Sequence, residues 1–180
     1  MIPETFTRNT EPALATYDAV DIAAGLGYQT FYLFTLKNDT TTEYALSNIQ
    51  CFSNSGTLGN GTFNFDTTAF NLPRILKGDV YADVAGGSGA GNFQVSGSVI
   101  LNRGGTLTTL GSFTTENFVA TTQTQKTCKM AVAQTEIKRG DIIRLAMTSN
   151  SANNNFNTDP TGAYSIAQTT KLRLPFKIDL

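Results

Sequence analysis

The sequence predicts an all-β fold, a two-sheet antiparallel sandwich that is jelly-roll-like and carries an extended N-terminal arm. Charged residues make up only 15% of the chain, against about 25% in ordinary globular domains, and Thr, Asn, Ser and Gly take their place. From Gln29 onward apolar and polar residues alternate with a period of two, and turn residues recur at the spacing typical of sandwiches. No amphipathic helix stands out, and 180 residues suit a single domain.

The predicted strands follow this alternation and are separated by turn residues. They cover residues 29–37, 43–52, 63–66, 76–84, 93–101, 106–113 with 118–122, 128–132, 142–148, 163–169 and 171–178. The glycine-rich run 86–91 is predicted to be the loop of a hairpin that joins strands 76–84 and 93–101. Tight turns are expected at 103–105 and 138–141, and a long Asn-rich loop at 149–162.

Residues 1–27 differ from the rest of the chain. They contain Pro3 and Pro12, lack clean alternation and end in Gly25-Leu26-Gly27. We therefore expect an N-terminal arm at 1–27 and a β-sandwich domain at 28–180. The arm is mostly acidic, with Glu4, Glu11, Asp18 and Asp21 against Arg8. Such segments are either disordered or fixed by a neighbour, so we predict that this one serves in assembly.

Charge and cysteine content limit the partners. A net charge of −1 gives no basic field for a phosphate backbone, so no nucleic-acid partner is expected. No apolar run approaches the length of a membrane span, and residues 1–12 lack the features of a secretory signal. Cys51 and Cys128 are not in metal-binding spacing. Buried free thiols are the favoured interpretation, and a disulfide between them remains open.

Catalysis finds little support in the residue types. The chain has no His, which removes Ser-His-Asp and Cys-His mechanisms as well as His metal sites. A pair of carboxylates could still hydrolyse glycosides, but the candidate acids fall beside turns or on polar strand faces: Asp66, Asp79, Asp83, Glu116 and Glu136. The 86–91 glycine run lacks the Lys-Ser/Thr of a phosphate loop. We therefore expect no enzyme, and no catalytic, cofactor-binding or metal-binding residue.

Three features could serve binding instead. Arg139-Gly140-Asp141 spells an integrin-recognition tripeptide, although turn chemistry explains it fully. Asn153, Asn155, Asn157 and Asp159 alternate ahead of Gly162, and this loop could bind calcium or glycan or could simply be polar surface. Tyrosines could form a sugar-stacking platform, although core packing explains most of them: Tyr28, Tyr32, Tyr44, Tyr81 and Tyr164.

Three segments resemble small virion proteins of tailed bacteriophages. Residues 20–28 (VDIAAGLGY) look like the "D-I-A-x-G-x-G-Y" opening of that group. Residues 69–78 (AFNLPRILKG) are similar to its "F-x-L-P-R-x-x-x-G" strand, and residues 136–145 (EIKRGDIIRL) to its "x-F-K-K-G-D-x-L-R-L" hairpin. The three occur in the same order and extend over most of the chain.

The resemblance implies a jelly-roll virion structural protein, specifically a homotrimeric capsid decoration or cement protein that binds the major capsid protein on the outside of the head. It would be synthesised in the bacterial host cytoplasm and localised to the capsid surface of the virion. It carries over no catalytic residue. The alternative is a host-receptor or carbohydrate-binding β-sandwich module of a tail or head fibre, which the Asn-rich loop and exposed tyrosines would serve.

Overall fold

The computed structural model describes residues 15–16, 26–37, 42–48, 57–58, 61–88, 91–119, 124–149, 154–157 and 170–177. These residues form strands and connecting turns, and none of them is helical. The predicted all-β fold class is therefore confirmed. In this part of the chain no helix is long and apolar enough to cross a membrane.

Twelve strands make up the described fold, and several are longer than the alternation predicted. They are β1 (Ala15–Thr16), β2 (Leu26–Lys37), β3 (Thr42–Ser47), β4 (Thr57–Leu58), β5 (Gly61–Thr67), β6 (Arg74–Ser88), β7 (Val95–Arg103), β8 (Thr106–Thr114), β9 (Thr124–Ile137), β10 (Ile142–Ser149), β11 (Asn154–Asn157) and β12 (Lys171–Lys177).

The strands form one mixed sheet in the order β4-β11-β6-β12-β2-β3-β5-β10-β7-β8, with β1 added to β2 and β9 added to β6. The pairing of β3 with β5 is parallel and spans two residue pairs, which joins the two layers that we expected to be separate antiparallel sheets. The sheet folds over until β8 faces β9, where a Cβ on Gly111 would lie 3.3 Å from Cβ of Met130. The result is a sandwich that nearly closes into a barrel.

The core lies between the two layers and follows the two-residue period. On β7 and β10 every second side chain points inward and is buried, as expected when successive side chains of a strand alternate between faces. Burying one large apolar side chain stabilises a fold by about 1.5–3 kcal/mol. The largest fully buried side chains are Phe65, Phe118, Leu33, Leu76, Ile137, Ile143, Leu145, Met147, Leu172, Leu174 and Val80.

The predicted hairpin between strands 76–84 and 93–101 is wrong. β6 pairs with β9, β11 and β12, whereas β7 pairs with β8 and β10 in the opposite layer. Alternation shows which side chains face the core, but it does not show which neighbour a strand pairs with. β6 also runs through Gly86 and Gly87, which pair with β11, so part of the predicted 86–91 loop is strand.

Other connections differ less from expectation. The turn at 103–105 is confirmed, since Gly104 and Gly105 have φ of 56° and 89° and close the β7–β8 hairpin. The predicted Asn-rich loop at 149–162 contains strand β11. Within the predicted arm, β1 pairs with β2, which itself begins at Leu26. Residues 1–14 and 17–25 of the arm and the predicted strand 163–169 lie outside the described residues, so the division at residue 27 stays a prediction.

Candidate functional site

The sandwich interior opens at one end into a cleft of about 100 Å³. Residues of β2 and β6 supply the inner wall, Asn48 directly after β3 supplies one rim, and the end of β5 with the connection from β5 to β6 supplies the other. We call this site the end cleft. Its lining residues are Gln29, Phe31, Asn48, Thr67, Thr68, Ala69, Phe70, Asn71, Leu72 and Arg74.

Two polar side chains occupy inward positions where the apolar core stops. Gln29 is in step with the buried Phe31 and Leu33 on β2, and only 9% of it is exposed. Arg74 opens β6 directly after Pro73 and pairs across the ladder with Ile137, which is fully buried. Because cross-strand partners share a face of the sheet, Arg74 also points toward the interior. Its Nη1 donates a hydrogen bond of 3.1 Å to Oε1 of Gln29.

Two aromatic rings hold the Arg74 guanidinium in place. Its Cζ lies 5.4 Å from the centre of the Phe176 ring and 6.0 Å from that of Phe70. The two rings are themselves in edge contact at 6.0 Å. Cation–π contacts of this kind favour a fixed position of the guanidinium over the rings.

The backbone of Phe70 is fixed by the turn at 138–141. The Phe70 N–H donates to the carbonyl of Asp141 and the Gly140 N–H donates to the carbonyl of Phe70, each at 2.9 Å. The segments 69–78 and 136–145, singled out separately in the sequence, therefore meet in the fold. One rim of the end cleft depends on that turn.

Arg74 differs from the other strand arginines because it has no acidic partner in the part of the chain that the structure describes. Arg144 pairs with Asp66 at 2.7 Å, Arg173 with Asp83 at 3.0 Å and Arg103 with Asp141 at 2.7 Å. Among the described residues no carboxylate lies within ion-pair distance of Arg74. Gln29 takes one of the five N–H donors of a guanidinium.

Each of the acidic residues considered for catalysis lies beside a cation. The pairs are Asp66 with Arg144, Asp79 with Lys129, Asp83 with Arg173, Glu116 with Lys126 and Glu136 with Lys138. The hydrogen bonds from Arg144 to Asp66 raise the pKa of that guanidinium. In the described part of the chain no three His, Cys, Asp or Glu side chains lie together as metal ligands would.

The Arg139-Gly140-Asp141 tripeptide is a turn, as its residue types predicted. The side chain of Asp141 is 3% exposed, and its carboxylate accepts hydrogen bonds from Arg103 Nε and Nη2 and from the backbone N–H of Lys138. The bonds from Arg103 hold the pKa of Asp141 below its usual range. A carboxylate occupied in this way is not presented for recognition by another protein.

The tyrosines separate into two groups. Tyr44 packs edge-on against Phe63 and Phe65, at 5.4 Å from each, so it belongs to the core as expected. Tyr28 and Tyr81 instead lie on the outer face of the sheet, half-buried and 5.8 Å apart.

Polar contacts already occupy this outer face. The guanidinium of Arg173 covers the Tyr81 ring, with Cζ 4.9 Å from the ring centre, and Nη2 of Arg173 donates a hydrogen bond to Asp83. Arg173 Nε also lies 3.0 Å from Asp83, although its N–H is not aligned for a hydrogen bond. Tyr32 is half-buried and Tyr164 lies outside the described residues.

The calcium-loop and cysteine hypotheses are only partly covered by the structure. The backbone at Asn154–Asn157 is a strand between β4 and β6, while Asn153 and Asp159 lie outside the described residues. Cys128 is a free, half-buried thiol whose pKa is raised by burial. It lines a groove of about 540 Å³ between β8 and β9. Cys51 lies outside the described residues.

Reasoning from sequence did not find the end cleft. Its polar residues are scattered over β2, the position after β3, the end of β5, the connection from β5 to β6 and the start of β6, and no spacing pattern joins them. The available signals were a Gln in an inward strand position and an Arg placed directly after Pro73.

No protein-family model and no curated protein matches the sequence. Among solved structures, the chain is similar to a CocE/NonD family hydrolase from Staphylococcus aureus, with a TM-score of 0.56, 9% identity, and coverage of 84% of this chain and 37% of the hydrolase. An α-amino acid ester hydrolase matches with a TM-score of 0.55, 7% identity, and coverage of 83% and 34%. The C-terminal CBM6 of LamC, a marine laminarinase from Zobellia galactanivorans, matches at a TM-score of only 0.33 and 8% identity, over 82% and 98%.

The expectation that the protein is not an enzyme is contradicted by these matches, because the two reported structures with the higher TM-scores, 0.56 and 0.55, are hydrolases. The expectation rested on the absence of His, on the scattered positions of the acidic residues and on the missing phosphate loop, and the absence of His excludes only chemistry that needs His. At 7–9% identity the likeness shows a shared fold, and this chain spans little more than a third of either hydrolase. This chain is therefore an all-β sandwich of a kind that occurs within hydrolases.

Proposed function

We propose that the protein is a carbohydrate-binding β-sandwich module and that the sugar enters the end cleft. The observation that carries this proposal is the composition of the cleft. The half-buried ring of Phe70 lies beside the amides of Gln29, Asn48 and Asn71, and the guanidinium of Arg74 lines the same small concavity. A sugar has apolar C–H groups that stack on aromatic rings and hydroxyls that exchange hydrogen bonds with amides and guanidinium groups.

The concave shape favours the end cleft over the outer tyrosine face. Ligand sites are usually concavities in which a few polar groups converge. On the outer face Arg173 already covers the Tyr81 ring and binds Asp83, and Lys129 binds Asp79 at 2.7 Å. A sugar would have to displace those contacts, whereas the cleft offers a guanidinium without an acidic partner among the described residues.

Binding can be tested by isothermal titration with a panel of neutral and acidic oligosaccharides. Each mixture is also analysed for released sugars, because matching folds occur in hydrolases. Phe70→Leu removes the ring but keeps an apolar side chain and the backbone bonds to the turn at 138–141. Since aromatic packing is worth about 0.5–1.5 kcal/mol beyond buried area, we expect roughly two- to tenfold weaker sugar binding.

Leu107→Ser is the control, because Leu107 is an exposed apolar residue that lies on the β7–β8 hairpin and does not line the cleft. We expect this variant to bind as the unchanged protein does. Absence of binding to every oligosaccharide in the panel would refute the proposal. Equal losses in the two variants would show that sugars bind somewhere other than the end cleft.

A further inference from the structure

We infer that the sugar bound in the end cleft carries a carboxylate, so that the ligand class is acidic saccharides such as uronic-acid oligomers. The inference rests on the proposed function, since it specifies the ligand of the same site. It begins from the charge of Arg74, which is the feature of the cleft that a neutral sugar leaves unexplained.

The first step is the missing counter-charge. Each of the other three strand arginines, Arg103, Arg144 and Arg173, is held by an aspartate at 2.7–3.0 Å. Arg74 is partly buried and points toward the interior, yet its partners in the described structure are an uncharged amide and two rings. A partly buried cation is stabilised by an anion, and here a bound ligand can supply one.

The second step is the fit of the chemical groups. A guanidinium presents its N–H donors in a planar fork that matches the two oxygens of a carboxylate. Hydroxyls of Thr67 and Thr68 and amides of Asn48 and Asn71 line the same cleft and can donate further hydrogen bonds. Among the described residues the lining contains no Asp or Glu, so none of these side chains repels an entering anion.

The third step is rigidity and size. The rings of Phe70 and Phe176 and the bond to Gln29 fix the guanidinium before a ligand arrives, which lowers the ordering cost of binding. A volume of about 100 Å³ admits a carboxylate and the adjoining ring atoms of one sugar. The rest of an oligomer would lie over the exposed rim at Leu72 and Thr68.

The test compares oligogalacturonate with oligogalactose of the same length, since the two differ at the carboxylate. Dissociation constants are measured by titration for the unchanged protein, Arg74→Gln and Arg74→Lys. We expect the acidic oligomer to bind roughly ten- to hundredfold more tightly, as one hydrogen-bonded contact to a charged group allows. Arg74→Gln should remove that preference. Arg74→Lys should keep part of it, because an ammonium group keeps the charge but lacks the planar fork of N–H donors.

The control is Lys77→Gln, which removes the same charge from an exposed position on the same strand and should leave the preference intact. Urea unfolding of each variant checks that the fold is kept. If the unchanged protein bound both oligomers equally, or if Arg74→Gln weakened both equally, the carboxylate inference would be wrong and the carbohydrate proposal would stand. If neither oligomer bound, the carboxylate inference would be wrong, and the carbohydrate proposal would be decided by the full oligosaccharide panel.

Discussion

Arg103 and Arg74 lie near strand ends on the two sides of the same turn, yet their surroundings differ. Arg103, at the end of β7, reaches the buried carboxylate of Asp141 with bonds from Nε and Nη2, and its Nη2 also donates to the carbonyl of Glu136. Arg74, at the start of β6, reaches Gln29 and two aromatic rings. The turn at 138–141 links them, because it contributes Asp141 to the first and holds Phe70 beside the second.

The difference separates a structural cation from one available for binding. At Arg103 the donors and acceptors are paired with each other, so mutation should lower stability. At Arg74 the charge has no described counterpart, so mutation should mainly alter ligand binding. The three predictions below test this comparison, beginning with the largest expected effect.

Asp141→Asn should destabilise the protein by about 2–3 kcal/mol. Asn keeps the size of the side chain but removes the charge that Arg103 and the Lys138 N–H both bind, and hydrogen bonds to charged groups contribute about 1.5–3 kcal/mol. The free energy of unfolding is measured by urea denaturation. Glu136→Gln is the control, since Glu136 is exposed and its ion pair with Lys138 spans 4.0 Å; its effect should stay below about 0.5 kcal/mol. Equal losses would mean that the Asp141 network is not the stabilising element.

The same network should make stability depend on pH below neutrality. Hydrogen bonds from Arg103 lower the pKa of Asp141 in the folded protein, whereas the pKa of an Asp carboxyl in the unfolded chain is about 3.9. The stabilisation is therefore fully present above the unfolded pKa and is lost as pH falls through the lower folded pKa. Unfolding curves from pH 6 to pH 2 should show the gap between unchanged protein and Asp141→Asn closing in acid. A stability difference that stayed constant over that range would contradict the assignment of this pH dependence to Asp141.

The fold class could be predicted because alternation is a local property of the chain. Val95, Val99 and Leu101 recur at even spacing, as do Ile143, Leu145 and Met147, and both sets are buried. Pairing is not local, which is why the predicted partnership of strands 76–84 and 93–101 failed. The backbone N–H and C=O groups of each of those strands can pair with any neighbouring strand at the right distance. Which strand becomes its neighbour depends on where the chain crosses between the two layers.

The candidate site could not be predicted for a related reason. Gln29, Asn48 and Arg74 come from three separate parts of the sequence and meet only through the register of β2, β3 and β6. That Arg74 has no acidic partner among the described residues also depends on its three-dimensional neighbours, which the sequence does not show. By contrast, the turn at Arg139-Gly140-Asp141 was predictable, because its geometry depends on adjacent residues, with Gly140 at a φ of 90°.

The resemblance to phage virion proteins stays a prediction, with its implied trimer, its docking on the major capsid protein and its location on the capsid surface. Residues 69–78 and 136–145 carry much of that resemblance, and they meet in the fold through the bonds of Phe70 to the turn at 138–141 and through the pairing of Arg74 with Ile137. Light scattering tests the trimer, and binding to emptied capsids tests the docking. A chain that bound capsids but no saccharide would favour the decoration role over the proposed module.

Arg74→Gln should change stability least, by less than about 1 kcal/mol. The substitution removes one hydrogen bond to Gln29 and two cation–π contacts, which stabilise the fold. It also removes a partly buried charge that has no acidic partner among the described residues. The desolvation cost of that charge offsets part of the stabilisation that these contacts provide. Urea denaturation at neutral pH measures the effect, with Arg103→Gln as the matched substitution expected to destabilise more. If Arg74→Gln unfolded as readily as Asp141→Asn, the guanidinium would be a structural element, and the contrast between the two arginines would not hold.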